Sequence, residues 1–118
     1  MRIFTKYAPR KAVDGKPLSC TTDTTLKPEQ MLELYRYLKL TRLVEERLVN
    51  LYRQTKVVGG VFRSLGQEAT AVGTAYALDE QDFLSPLIRD LGAVLVRKIR
   101  PREIFAQYMA KEWCPSGG

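Results

Sequence analysis

The chain is 118 residues long, 45% hydrophobic and 27% charged, with a formal net charge of +6. This composition fits one globular unit or a piece of a larger one. It holds no histidine and two cysteines, which excludes a Ser-His-Asp triad, a Cys-His dyad, any histidine-containing zinc site and a disulfide scaffold within these residues; no apolar run approaches the roughly 18 residues that cross a bilayer.

The basic excess is uneven. Residues 1–28 carry a net charge of +4 and residues 29–118 a net of only +2. Beyond the first segment Arg and Lys interleave with Glu, as on a solvated helix face, so the charge argues against specific nucleic-acid binding. Residues 1–27 contain Pro9, Gly15, Pro17 and the polar run Thr21-Thr22-Asp23-Thr24-Thr25, and read as a flexible N-terminal arm. The acid-free start, Met1 to Lys11, is somewhat like an organellar transit segment, but Pro9, Asp14 and Gly15 interrupt any amphipathic helix early. The expected location is cytoplasmic, with the mitochondrial matrix as the alternative should that start be a transit segment.

A long helix is predicted from Pro28 to between Gln54 and Lys56. Proline at the first helical position loses no hydrogen bond, and Glu29 and Gln30 complement the free N–H groups there. Met31, Leu34, Tyr35, Leu38, Val44, Leu48, Leu51 and Tyr52 follow a broadly helical spacing. Leu32, Leu40, Leu43 and Val49 widen the stripe enough to predict packing on two sides. Glu45 and Glu46 are read as helix surface. The stretch Val57-Val58-Gly59-Gly60-Val61-Phe62 reads as an extended or turn segment, since a glycine pair reaches conformations that β-branched residues avoid. A second helix, rich in small residues, is predicted from Gly66 with Glu68 in its first turn. Asp79-Glu80-Gln81-Asp82 breaks it. Phe83-Leu84-Ser85 is read as a short buried strand stopped by Pro86. A third helix is expected from about Asp90 to Lys98, and a fourth from Pro101 to Lys111. Trp113 to Gly118 reads as a loop cut in mid-course.

Chemistry-bearing motifs are few. There is no Walker loop, no G-x-G-x-x-G and no nucleophile elbow. Asp79 and Asp82 read as a solvated turn rather than a cation site. Two segments are more informative: Gly59-Gly60-Val61-Phe62-Arg63-Ser64-Leu65-Gly66-Gln67-Glu68-Ala69 and Ser85-Pro86-Leu87-Ile88-Arg89-Asp90-Leu91-Gly92. Each sets an arginine on a loop before a helix, and a guanidinium makes paired contacts with phosphate. On residue chemistry alone the plainer reading is that Arg63 and Arg89 are structural and pair with Glu68 or Asp90.

Taken in order, Glu45-Glu46-Arg47, Gly59-Gly60, Gly66-Gln67-Glu68-Ala69 and Arg89-Asp90-x-Gly92 resemble the alpha subunit of thiamine-diphosphate-dependent 2-oxo acid dehydrogenases. The resemblance covers residues 28–118. It implies an α/β thiamine-diphosphate-binding fold, helices around a parallel sheet, of which this chain is a mostly helical N-terminal part of the diphosphate-binding domain. It also implies oxidative decarboxylation of a 2-oxo acid, with pyruvate favoured and a branched-chain 2-oxo acid next, and acyl transfer to a lipoyl carrier. The implied partners are a beta subunit, a second alpha subunit and a lipoyl-bearing acyltransferase.

The family's Tyr-Arg pair, which holds the diphosphate, falls on Ile88 and Arg89. Its pocket histidine falls on Phe62, and a further histidine falls on Leu91. Arg89 therefore matches, whereas Ile88, Phe62 and Leu91 depart. The family's Gly-Asp-Gly motif with its later Asn, which binds the cofactor and Mg²⁺, does not occur here, so no catalytic residue or metal ligand is assigned and the Mg²⁺ ligands are expected downstream. The implied result is an N-terminal fragment that is inactive alone. The competing readings are a non-enzymatic helical interaction module and a basic nucleic-acid-binding domain.

Overall fold

The computed structural model describes residues 26–117. The arm expected over residues 1–27 lies outside the described residues except for Leu26 and Lys27. Four helices follow in order: α1 (Pro28–Arg53), α2 (Glu68–Tyr76), α3 (Leu91–Val96) and α4 (Pro101–Tyr108). Among the described residues there is no strand, which agrees with a mostly helical segment.

α1 starts as its sequence dictates. Lys27 is extended, Pro28 opens the helix, and the Gln30 side-chain oxygen accepts the Lys27 N–H at 3.0 Å, satisfying a donor that the helix itself leaves open. α4 repeats the device. Arg100 is extended before Pro101, and Glu103 accepts the Arg100 N–H at 2.8 Å. The helix ends are less legible. Thr55, Lys98 and Ala110 take left-handed φ values of 59°, 67° and 47° just past α1, α3 and α4. In each case the following N–H reaches back into the last turn: Lys56 to Leu51, Ile99 to Val94 and Lys111 to Ala106. Glycine is the usual residue for this termination, and its absence explains why these ends are blurred in the sequence.

α1 turns Thr41, Val44, Glu45, Leu48 and Leu51 inward. Val44 and Leu48 meet Leu95 of α3 and Ile104 of α4 in the main apolar cluster, against which Val61, Leu91 and Tyr108 pack. A second cluster joins α2 and α3 through Ala71, Ala75 and Ala93. Small side chains bring these two helices together, and Gly92 is where the approach is closest. A Cβ there would lie 2.8 Å from Val72 Cγ2 and 3.2 Å from Thr41 Oγ1. Thr41 is fully buried and donates its hydroxyl to the Tyr37 carbonyl at 2.8 Å, so burial leaves that group satisfied.

Two expectations need correction. Phe83-Leu84-Ser85 is not a buried strand: the segment is irregular and Phe83 is 100% exposed. It leaves α2 through a turn held by Arg97, whose guanidinium donates to the carbonyls of Asp79, Glu80 and Asp82 at 3.0, 3.2 and 2.8 Å. With its carbonyls drawn to one side chain, the turn has no ladder partner. Glu45 is not helix surface: it is 2% exposed, whereas Glu46 is exposed. Leu32, Tyr35, Leu43 and Tyr52 of α1 remain exposed among the described residues.

Candidate functional site

The two loops singled out by the sequence are anchored on the same apolar cluster. Val61 fixes the loop before α2 and Leu91 fixes the start of α3. Phe62 and Arg89 therefore stand on loops that share one foundation, although no bond joins them among the described residues.

The loop before α3 is drawn into a turn by its own aspartate. Asp90 Oδ2 accepts the Leu87 N–H at 2.8 Å, and the Asp90 N–H donates to the Leu87 carbonyl at 3.1 Å. This reciprocal pair occupies Asp90 and presents Ile88 and Arg89 at the tip, both exposed. Arg89 has no hydrogen-bond or ion-pair partner among the described residues. Ile88 borders a cavity of about 310 Å³ between α3 and α4, lined with Leu87, Leu91, Val94, Ile104 and Tyr108 among others. The turn thus offers an exposed guanidinium beside an apolar recess.

The loop before α2 is held at its far end by carboxylates. Glu68 Oε1 lies 2.6 Å from both Nε and Nη2 of Arg42, and Oε2 accepts the Gly66 N–H at 2.8 Å. Gly66 has a φ of 87°, which suits glycine. Burial by itself would raise the Glu68 carboxyl. Hydrogen bonds from its own backbone N–H, from Arg42 and from Gly66 outweigh that and hold it below its ordinary value of 4.5. A depressed acid stabilises the fold above its unfolded-state value and loses that contribution as pH falls through the folded-state value. The stability difference between the parent chain and Glu68→Gln is therefore expected to be largest near pH 7 and to close as pH drops below about 4.5. Urea midpoints measured from pH 7 to pH 3 check this, and a constant difference would contradict it.

Arg42 thus takes the partner that the plainer reading gave to Arg63 or Arg89. Glu68 is paired with Arg42, Asp90 is engaged by Leu87, and neither loop arginine has a partner among the described residues. The structural pairing is corrected on that ground. Phe62 is about half exposed, and its ring lies over Gly60, where a Cβ would come within 3.1 Å of Phe62 Cε2.

The sequence reading missed Glu45. Its Oε1 accepts both the Ser64 N–H at 2.9 Å and the Ser64 hydroxyl at 2.5 Å, while its buried Oε2 has no partner among the described residues. Burial, and then the Glu45 charge nearby, pushes the Tyr108 phenol above its ordinary value. The signal was in the helical spacing, since residue 45 falls on the same face as Thr41, Leu48 and Leu51. Among the described residues, no three His, Cys, Asp or Glu come together in a way that could hold a metal ion, and we assign none of them to Mg²⁺.

With this geometry in view, comparison with known proteins gives a consistent result. A family model described as "Dehydrogenase E1 component" matches residues 35–118. The 2-oxoisovalerate dehydrogenase subunit alpha of Bacillus subtilis (strain 168) is 35% identical over 94 residues, which are 79% of this chain and 28% of that protein. The pyruvate dehydrogenase E1 component subunit alpha of Mycoplasma genitalium is 26% identical over 99 residues, 84% of this chain and 27% of that one. The protein of the same name from Staphylococcus epidermidis is 32% identical over 82 residues, 70% of this chain and 22% of that one. The chain thus spans less than a third of the length of these curated relatives. No solved structure matches. No helix among the described residues is long and apolar enough to cross a membrane.

Proposed function

The chain belongs to the dehydrogenase E1 component family, and from that premise we propose that it forms the part of a 2-oxo acid dehydrogenase alpha subunit that receives the diphosphate of thiamine diphosphate. The observation that carries this reading is Arg89, exposed and without a partner among the described residues, on a turn that Asp90 closes. A guanidinium offers a planar fork of donors that matches phosphate oxygens and stays charged at any working pH.

Thiamine diphosphate, when bound, supplies the nucleophilic carbon and the electron sink for decarboxylation. This chain supplies binding and shape. Arg89 would hold phosphate oxygens through paired N–H donors. Ile88, which has no hydroxyl, contributes an apolar wall and continues into the recess lined with Leu91 and Tyr108. Phe62, which has no titratable proton, lines the substrate side as an apolar ring. Neither Ile88 nor Phe62 has a proton to transfer. Mg²⁺ would be held by residues other than these, and a beta subunit would complete the site. A second alpha subunit makes up the assembly, and a lipoyl-bearing acyltransferase takes the acyl group. Pyruvate is the first substrate to test and a branched-chain 2-oxo acid the second.

The test is CO₂ release by the full-length alpha subunit assembled with its beta subunit, with thiamine diphosphate and Mg²⁺ present. Release from pyruvate or from 3-methyl-2-oxobutanoate supports the reading, and release from neither rejects it. The 118-residue chain alone is expected to release none, because Gly-Asp-Gly and its later Asn are absent from these residues. Turnover by the chain alone would reject that part of the assignment.

A further inference from the structure

The buried carboxylate of Glu45 is a costly way to hold a loop. An ionisable side chain with one oxygen unpaired is unfavourable inside a protein, and a smaller apolar residue would fill that face of α1 at less cost. Such costs recur where a loop must be held in one geometry for function. The segment in question is residues 57–67. Its start is tied by the Val58 N–H to the Tyr108 carbonyl at 2.9 Å, and Val57 is buried. Its end is tied by Gly66 and Gln67, close to the α2 N-terminus. Between these ties, residues 59–63 make no hydrogen bond among the described residues, and Gly59 has a φ of 83°. Ser64 is where that open stretch is fastened, and both of its donors go to one atom, Glu45 Oε1. Ser64 is itself 1% exposed. The carboxylate therefore grips the loop directly after Phe62 and Arg63.

We propose that Glu45 is a positioning residue for the substrate side of the site: acting through Ser64, it fixes the height and angle at which Phe62 is presented. This inference rests on the reading that Phe62 lines the pocket of a 2-oxo acid dehydrogenase. It assigns Glu45 no contact with substrate or cofactor. The grip needs an acceptor oxygen where Oε1 lies, and glutamine can place one there. Alanine cannot.

The experiment compares the assembled full-length enzyme with Glu45→Ala, Glu45→Gln and Ser64→Ala. Two readouts are taken: KM, kcat and thiamine diphosphate affinity in turnover, and amide hydrogen exchange of residues 59–64. Glu45→Ala is expected to raise KM for the 2-oxo acid about tenfold, the loss of roughly one strong hydrogen-bonded tie. Cofactor affinity should change less than about twofold, because Arg89 stands on another loop. Exchange at Ser64 and residues 59–63 should quicken.

Ser64→Ala keeps the N–H bond and loses the hydroxyl bond, so its KM should rise by about threefold. It also keeps the question open to refutation if Glu45→Ala fails to fold. Glu45→Gln should rescue KM most of the way from the alanine value to the parent value. A merely structural residue would lower the active fraction, and so kcat, with KM unmoved; that outcome in Glu45→Ala and Ser64→Ala overturns the proposal. If the parent turns over no 2-oxo acid, the enzymatic reading fails, and exchange then decides the grip separately. Unaltered exchange at residues 59–64 in Glu45→Ala overturns the grip as well.

Discussion

Gly92→Ala is expected to lower the stability of the chain by about 1–3 kcal/mol, the usual cost of forcing a methyl group into a filled core. The added carbon would sit 2.8 Å from Val72 Cγ2 and 3.2 Å from Thr41 Oγ1. Neither neighbour yields easily. Val72 is 1% exposed and Thr41 is 0% exposed, Val72 has one preferred rotamer in a helix, and the Thr41 hydroxyl is engaged with the Tyr37 carbonyl. Relief must then come from moving α3 away from α1 and α2, which also displaces the turn that carries Arg89. A double-mutant cycle identifies the cause. Val72→Ala alone creates a cavity and is destabilising. Combined with Gly92→Ala it opens the space the new methyl group needs, so the double variant should be more stable than the sum of the two single losses, with a coupling of at least about 0.5 kcal/mol. Urea denaturation of the four proteins measures this. Strict additivity would show that Gly92 is not the contact that sets the helix spacing.

Arg89→Ala in the assembled full-length enzyme is expected to weaken thiamine diphosphate binding roughly 100-fold. Two charge-assisted hydrogen bonds to phosphate are lost at about 1.5–3 kcal/mol each, less what water and neighbouring groups recover. Stability should scarcely change, because Arg89 is exposed and holds nothing in place among the described residues. That combination is diagnostic, since a structural arginine would show the reverse. Arg89→Lys keeps the charge but not the planar fork, and an intermediate loss of about tenfold is expected. Calorimetric titration with thiamine diphosphate and Mg²⁺ reads all three proteins. Unchanged affinity in Arg89→Ala would remove the diphosphate assignment and leave Ile88 and the recess beside it without a ligand.

Family membership and helix starts were open to reading from residue order. Pro28 and Pro101 mark two first turns because a ring without an N–H belongs there and nowhere else in a helix. The spacing of Val44, Leu48 and Leu51 marks the inner face of α1, and Gly66-Gln67-Glu68-Ala69 with Arg89-Asp90 carries the kinship that the family match confirms. These features are local, so each is fixed within a few residues of where it is seen.

What residue order left undecided depended on partners distant in the chain. Glu45 passes for a surface acid beside Glu46 until Ser64, nineteen positions on, is folded against it. Arg42 is one basic residue among nineteen until Glu68 meets it and so leaves Arg63 and Arg89 unpaired among the described residues. Phe83 looks like the start of a core strand until Arg97 draws the preceding carbonyls aside and leaves it in water. Apolar pattern and backbone chemistry are properties of a segment, whereas the fate of a charge is set by which opposite group the fold delivers to it. The sequence alone therefore determined the helix starts and the kinship, and only the tertiary structure decided which charged side chains build the scaffold and which stand unpaired among the described residues.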